Sequence, residues 1–251
     1  MLDIHTHRIE NTPDALYSLT PPRGFRPAPG IRYSVGVHPW VEGEYRQHLF
    51  CSWDELEALA RHPQIAAIGE AGLDRLHRPL PQLRPGEAPC LDHRPMAADD
   101  PGWSESLRLF ERHALLAEAV GKPLILHCVR AADAILAVRA RLRPSVPWIL
   151  HGFRGKPMQA RQLMEKGLLL SLGERFHPET ARCIPLEKLL VETDESLLPV
   201  AEIIRRVALA RLGFDPFSAS PADALPPMPA ETVAELTRHI EAHVARLLGT
   251  D

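Results

Sequence analysis

Only four cysteines occur in the 251 residues, and Cys51, Cys90, Cys128 and Cys183 are scattered with no Cys-x-x-Cys pair among them. That spacing excludes a zinc ribbon and a disulfide framework, and it suits a reducing cytoplasm. No uninterrupted apolar stretch reaches the ~18 residues that a bilayer span needs. The opening Met1-Leu2-Asp3-Ile4-His5 has neither the basic region nor the apolar core of a secretory leader, so none is expected. Net charge is also scarce: 29 Lys and Arg against 32 Asp and Glu leave a formal −3. Composition therefore gives no overall pull toward nucleic acid or a membrane surface. Internal repeats and low-complexity tracts are absent, and no obligate protein partner is evident.

What the chain has is proline, 25 residues of it. The prolines gather at residues 21–29, 79–101 and 216–229, where hydrophobic periodicity is lost, and these stretches read as long surface loops. Elsewhere, short apolar runs at 2–6, 31–37, 65–68, 123–126, 148–150, 168–172 and 189–191 have the length and Ile/Leu/Val content of buried parallel strands. A weaker run at 15–19 makes eight. Helical periodicity falls between them, at Trp53–Ala60 after the candidate cap Ser52, and at 103–120, 156–166, 197–212 and 231–248. Alternating strands and helices imply a parallel sheet. Eight strands in about 250 residues imply a single TIM-type (β/α) barrel over residues 1–251, somewhat distorted and carrying Pro-rich loop insertions. An open doubly wound sheet would want a glycine-rich phosphate loop after its first strand, and here that strand ends in His5-Thr6-His7.

Polar residues interrupt these runs at the ends of strands, where a barrel keeps its chemistry. His5 and His7, two apart on a strand, point to one side and can reach one metal ion. Another strand runs into Glu70 and Asp74, two end in His127 and His151, and the last ends in Glu192-Thr193-Asp194. Imidazole and carboxylate are the ligands of zinc, manganese and similar hydrolytic ions. Taken singly, His127 or His151 has the plain reading of a satisfied core histidine. Three strands ending in histidine and two in acids, together, point to metal.

At these residues the chain resembles the TatD-type metal-dependent hydrolases, within the wider amidohydrolase superfamily. The resemblance is carried by Asp3-Ile-His-Thr-His7, Gly36-Val-His-Pro39, Ile68-Gly-Glu-Ala-Gly-Leu-Asp74, Lys122-Pro-Leu-Ile-Leu-His127, His151-Gly-Phe-Arg-Gly155 and Glu192-Thr-Asp194, in the family's order. It implies a distorted barrel, two divalent ions (Zn, Mn or Mg) and hydrolysis of phosphodiesters in DNA. By motif, His5, His7 and Asp194 would hold one ion, His127 and His151 the other, and Glu70 would bridge them. Asp194 and Glu70 are thus the catalytic candidates: Asp194 as acceptor of a proton from a nucleophilic water whose pKa the ions lower, Glu70 as the bridge.

His38, Arg154 and Lys156 are candidate substrate contacts, the two cations for a phosphate. His38 can instead be a structural strand-end residue, and Arg154 can pair with a carboxylate. Asp74 can orient a ligand or cap a turn, Cys128 is expected to be a buried structural thiol, and Glu192 is left outside the ligand set. His77, Asp92, His93, Asp99 and Asp100 lie in the insertion at 75–102, read as a solvated loop or lid.

The chain also departs from the family pattern. Cys128-Val129-Arg130 replaces Ser-Arg, Gly152-Phe153-Arg154 replaces Cys-Phe-Ser, and Glu-Thr-Asp is followed by Glu-Ser rather than Ala-Pro. The downstream Arg-Asn-Glu-Pro segment is missing. The ligands survive these changes, whereas positions facing substrate do not. The expected substrate is DNA or a small phosphoester, with another small ester or amide as the alternative.

Overall fold

A computed structural model describes residues 2–11, 15–41, 50–76, 96–97, 99–217 and 230–249. Its eight parallel strands close into a barrel in chain order, the TIM-type architecture expected. By contacts the chain divides into two compact units, residues 1–17 with 148–251, and residues 18–147.

The first unit contains β1 (Asp3–Thr6), β6 (Trp148–Leu150), β7 (Leu168–Leu172) and β8 (Leu189–Val191). β1 pairs with β8 through Asp3 and Val191, and with the start of β2 (Ala15–Leu19) through Asp3 and Ala15. Ile4, Trp148, Leu168, Leu170, Leu189 and Val191 are fully buried, as strands covered on both faces require.

In the second unit β3 (Arg32–Val35), β4 (Ile65–Asp74) and β5 (Leu124–Val129) pair in parallel. β4 runs six residues beyond the apolar stretch that announces it, through Gly69 and Gly72, residues that ordinarily weaken a strand. Here they permit a close approach to β5. A Cβ on Gly72 would sit 2.0 Å from the His127 carbonyl oxygen, and one on Gly69 would sit 2.5 Å from that of Ile125.

Helix α1 (Trp53–Ala60) starts at Ser52 in a full capping box: Ser52 accepts from the Glu55 N–H and the Glu55 carboxylate accepts from the Ser52 N–H. Asp100 caps α2 (Pro101–Val120) by accepting from the Gly102 N–H at 2.9 Å, so this acid of the insertion is a cap. His77, Asp92 and His93 lie outside the described residues. Helix α3 (Ala132–Leu142) has no counterpart in the sequence reading: its N-cap is Ala131 with no side-chain bond, and only Ile135 and Val138 are buried along it. Next come α4 (Pro157–Glu165), the short α5 (Pro178–Cys183, also unexpected), α6 (Val200–Arg211) and α7 (Ala230–Leu248). No described helix is long and apolar enough to cross a membrane.

Candidate metal centre

Within the first unit, His5 is fully buried and its ring lies 4.8 Å from that of His7 and 4.3 Å from that of His151. Asp194 Oδ1 stands 3.8 Å from His5 Nε2 and 3.7 Å from His7 Nε2. Ligand atoms of His5, His151 and Asp194 all fall within 4.8 Å of one another, close enough to share an ion. Asp194 takes the left-handed backbone (φ 54°), where Asp is among the few tolerated side chains. Its N–H donates to the His5 carbonyl at 2.9 Å and its carbonyl accepts from the His7 N–H at 3.0 Å, so the acid and both histidines are pinned by one stretch of backbone.

A buried polar network underlies that stretch. Asp3 Oδ1 accepts from the N–H groups of His5 and Thr193, both at 3.1 Å, and Asp3 Oδ2 accepts from the Thr193 hydroxyl at 2.5 Å. Asn11 donates to the hydroxyl oxygens of Thr6 and Thr193, and the Thr6 hydroxyl donates to the Asp194 carbonyl. Burial pushes the Asp3 carboxyl up to about 7 despite these bonds, and a cation held nearby would favour its charged form. Asp3, Thr6 and Thr193 stand in the strand-end motifs without an expected role of their own, and Asn11 lies outside them. The signal in the sequence is an aspartate and a threonine alternating with an apolar residue and a histidine in a strand too short to be anything but core.

Glu192, fully buried, completes this half. Its Oε1 accepts from the Gly152 N–H at 2.5 Å and lies 3.3 Å from His151 Nδ1. Burial opposes its ionisation, yet the His151 imidazole, with His5, holds it below the usual carboxylate range. This pairing fixes the His151 tautomer with Nδ1–H toward the carboxylate and leaves Nε2 as a lone pair, the arrangement common for metal-binding histidines.

In the second unit, Glu70 Oε1 lies 2.6 Å from His127 Nδ1 and 3.1 Å from His38 Nε2, and the three residues form another group able to hold an ion. Asp74 Oδ2 stands 3.3 Å from His127 Nε2 and accepts from the Trp40 indole N–H at 2.8 Å, while Oδ1 accepts from the Leu76 N–H. Burial works against the Asp74 charge, but the His127, Trp40 and Leu76 donors outweigh it and bring its pKa to about 2. Asp74 is therefore an anionic anchor for His127. His38 Nδ1 accepts from the Trp40 backbone N–H at 3.1 Å, so Nε2 carries the proton and donates to Glu70. That tautomer suits His38 to steadying Glu70 or meeting an anion more than to ligating a cation.

Arg154 is exposed and lines a cleft of about 230 Å³ with Glu192, Thr193, Asp194, Ser196 and Arg175. Arg175 was not singled out in the sequence. Lys156 is exposed at the N-cap of α4, and the cleft lining does not include it. Burial pushes the Cys128 thiol up to about 11, which keeps it protonated, as a structural thiol should be.

Histidines and acids at the strand ends of a closed parallel barrel, backed by carboxylates that orient two of the histidines, define a metal-binding α/β barrel. The donor set, nitrogen and oxygen without sulfur, fits Zn, Mn or Mg. The model of the TatD related DNase family matches residues 25–240, and the chain belongs to that family. The uncharacterized metal-dependent hydrolase TatD of Mycobacterium tuberculosis is 33% identical over 152 residues, which cover 57% of this chain and 51% of that protein. The 3'-5' ssDNA/RNA exonuclease TatD of Salmonella typhimurium is 29% identical over 175 residues, covering 66% and 58%. The chain thus spans just over half the length of these curated relatives. The crystal structure of YjjV, a TatD homologue from Escherichia coli K12, superposes with a TM-score of 0.69 at 19% identity, covering 99% of this chain and 98% of that one. At that identity the likeness speaks for the fold.

Proposed function

We propose that residues 1–251 form one cytoplasmic divalent-metal-dependent phosphodiesterase domain that cuts single-stranded nucleic acid. The observation that carries this reading is the pair of donor groups at strand ends, His5 with His151 and Asp194, and Glu70 with His127 and His38. His5, His7 and Asp194 would hold one ion, with His151 beside them, and Glu70 and His127 a second. Ions held there would supply Lewis acidity at the phosphoryl oxygen and would lower the pKa of a water toward neutrality.

The chain's own groups do the rest. Asp194 is one-third exposed on its side chain, so it can accept a proton from the attacking water and release it to solvent. His38 donates its one N–H, on Nε2, to Glu70, and with Glu70 engaged by an ion that N–H would turn to a phosphate oxygen. Arg154 and Arg175, in the cleft beside Asp194, offer planar forks to the neighbouring phosphate. Glu192 keeps His151 in one tautomer, and Asp74 anchors His127 at Nε2. The family's nuclease name and the exonuclease activity in the Salmonella relative's name support nucleic acid as the substrate.

The test is a substrate panel on protein stripped of metal and reloaded with Mg, Mn or Zn. Cleavage of single-stranded oligonucleotides is expected. Cleavage of a small diester alone would refute the nuclease reading and keep the phosphodiesterase. Hydrolysis of carboxylic esters or amides alone would refute both. Asp194→Asn should reduce turnover about 10²- to 10⁴-fold with unchanged circular dichroism, and full activity in that variant would overturn the assignment of the proton acceptor.

A further inference from the structure

Trp40 stands in a short 3-10 turn, Pro39–Val41, directly after the Gly36-Val-His-Pro39 motif. It is large and apolar, yet 49% exposed. Its orientation is nevertheless fixed. The indole N–H donates to Asp74 Oδ2 at 2.8 Å. The ring meets His38 edge to face at 5.0 Å between centroids, and His127 at 5.7 Å. A rigid, half-exposed aromatic ring held beside imidazoles of the candidate metal centre can serve as a platform, because a nucleobase stacks on such a ring without regard to sequence.

Resting on the nuclease reading above, we propose that Trp40 is the stacking platform for the base of the nucleotide whose phosphate is cut. A nucleotide with its phosphate against His38 carries its base one sugar away, beside this ring. The residue would then set the substrate class: base-bearing nucleotides are favoured over bare phosphodiesters, with no preference among bases, since every base has a π-face.

The experiment uses the full chain as wild type, Trp40→Leu and Trp40→Phe. Two probes are compared, a short oligothymidylate and the same oligomer with abasic sugars at its 3′ end. Affinity is measured by calorimetry on metal-free protein, and hydrolysis is measured after metal reloading. Trp40→Leu is expected to weaken oligothymidylate binding about tenfold to a hundredfold and to leave the abasic oligomer unchanged. Trp40→Phe, which keeps a ring but loses the bond to Asp74, should retain most of the wild-type preference.

Equal weakening of both probes by Trp40→Leu, or a Trp40→Phe variant as impaired as Trp40→Leu, would overturn the proposal in favour of a role through Asp74. Wild-type protein that binds and cuts the oligothymidylate and the abasic oligomer equally well would overturn it while leaving the nuclease reading standing. Wild-type protein that hydrolyses only a small diester and binds neither oligomer would overturn both.

Discussion

His113 offers a sharp test of the reasoning about the second unit. It lies on α2, fully buried, with Nδ1–H donating to the Leu109 carbonyl at 2.8 Å and Nε2 accepting from the Val37 N–H at 2.9 Å. Both nitrogens are used, and only the neutral Nδ1–H tautomer satisfies both bonds. Val37 precedes His38, so a helix side chain fixes the backbone from which His38 reaches Glu70. Burial, aided by the Arg112 charge and opposed by the bond to Leu109, lowers the His113 pKa from 6.5 to about 4. The unfolded chain therefore binds the extra proton between those values and the native state does not. The contribution to stability is complete above pH 6.5 and lost as pH falls toward 4. Linkage with these two pKa values puts the loss between pH 7 and pH 5 at roughly 2 kcal/mol.

Other groups complicate the raw pH curve. His243 is shifted down as well, by burial, and adds to the same slope. Asp3, raised from 3.8 to about 7, works in the opposite sense and costs stability as pH rises through that window. The measurement is therefore a difference: urea unfolding of wild type and His113→Phe at pH 7, 6 and 5. At pH 7 the variant should lose about 1–3 kcal/mol, because the half-buried Val37 N–H loses its acceptor. The gap should then shrink by about 2 kcal/mol on going to pH 5, since the variant lacks the titrating group. Parallel pH curves for the two proteins would refute the assignment of a buried neutral imidazole.

Further outcomes follow from single contacts. Gly72→Ala should prevent folding or cost more than about 3 kcal/mol, because its Cβ would meet the His127 carbonyl at 2.0 Å. Gly121→Ala, at φ 66° with open space around it, should cost only the left-handed penalty of about 1–2 kcal/mol, and denaturant midpoints compare the two. Glu192→Gln keeps an acceptor for the Gly152 N–H but removes the charge facing His151. It should weaken metal binding about 10- to 100-fold in a chelator-competition titration, and unchanged affinity would show that Glu192 only packs. Arg154→Ala and Arg175→Ala should each raise KM for an oligonucleotide about tenfold, a single charge-assisted contact, with kcat little altered. A fall in kcat with constant KM would place them at the reacting phosphate instead.

The candidate ligand types were legible because a barrel strand buried on both faces has no tolerance for histidine or carboxylate until it reaches the rim, so an apolar run broken by His5, His127 or Asp194 marks that rim. What holds those residues in place was not legible, and the reason is topological. Asp3 meets Thr193 only because β1 lies beside β8 across some 190 residues of chain, and no local pattern encodes a partner that remote. His113 sits on the apolar stripe of α2 as a leucine would, and nothing at helical spacing says that the Val37 N–H waits for its Nε2. The full length of β4 was hidden for a related cause. Gly69 and Gly72 read locally as breakers, and become strand residues only when the β5 backbone occupies the space their side chains would have filled. The same distinction bears on Trp40. A tryptophan after a proline reads as a loop residue, and it acquires a role only once Asp74, thirty-four positions on, fixes its ring beside two histidines. The chemistry of this centre thus lies in residues that interrupt local patterns, whereas its precision lies in residues that conform to them. That is why Trp40 and His113, rather than the histidines proposed to hold metal, are where experiment would discriminate most.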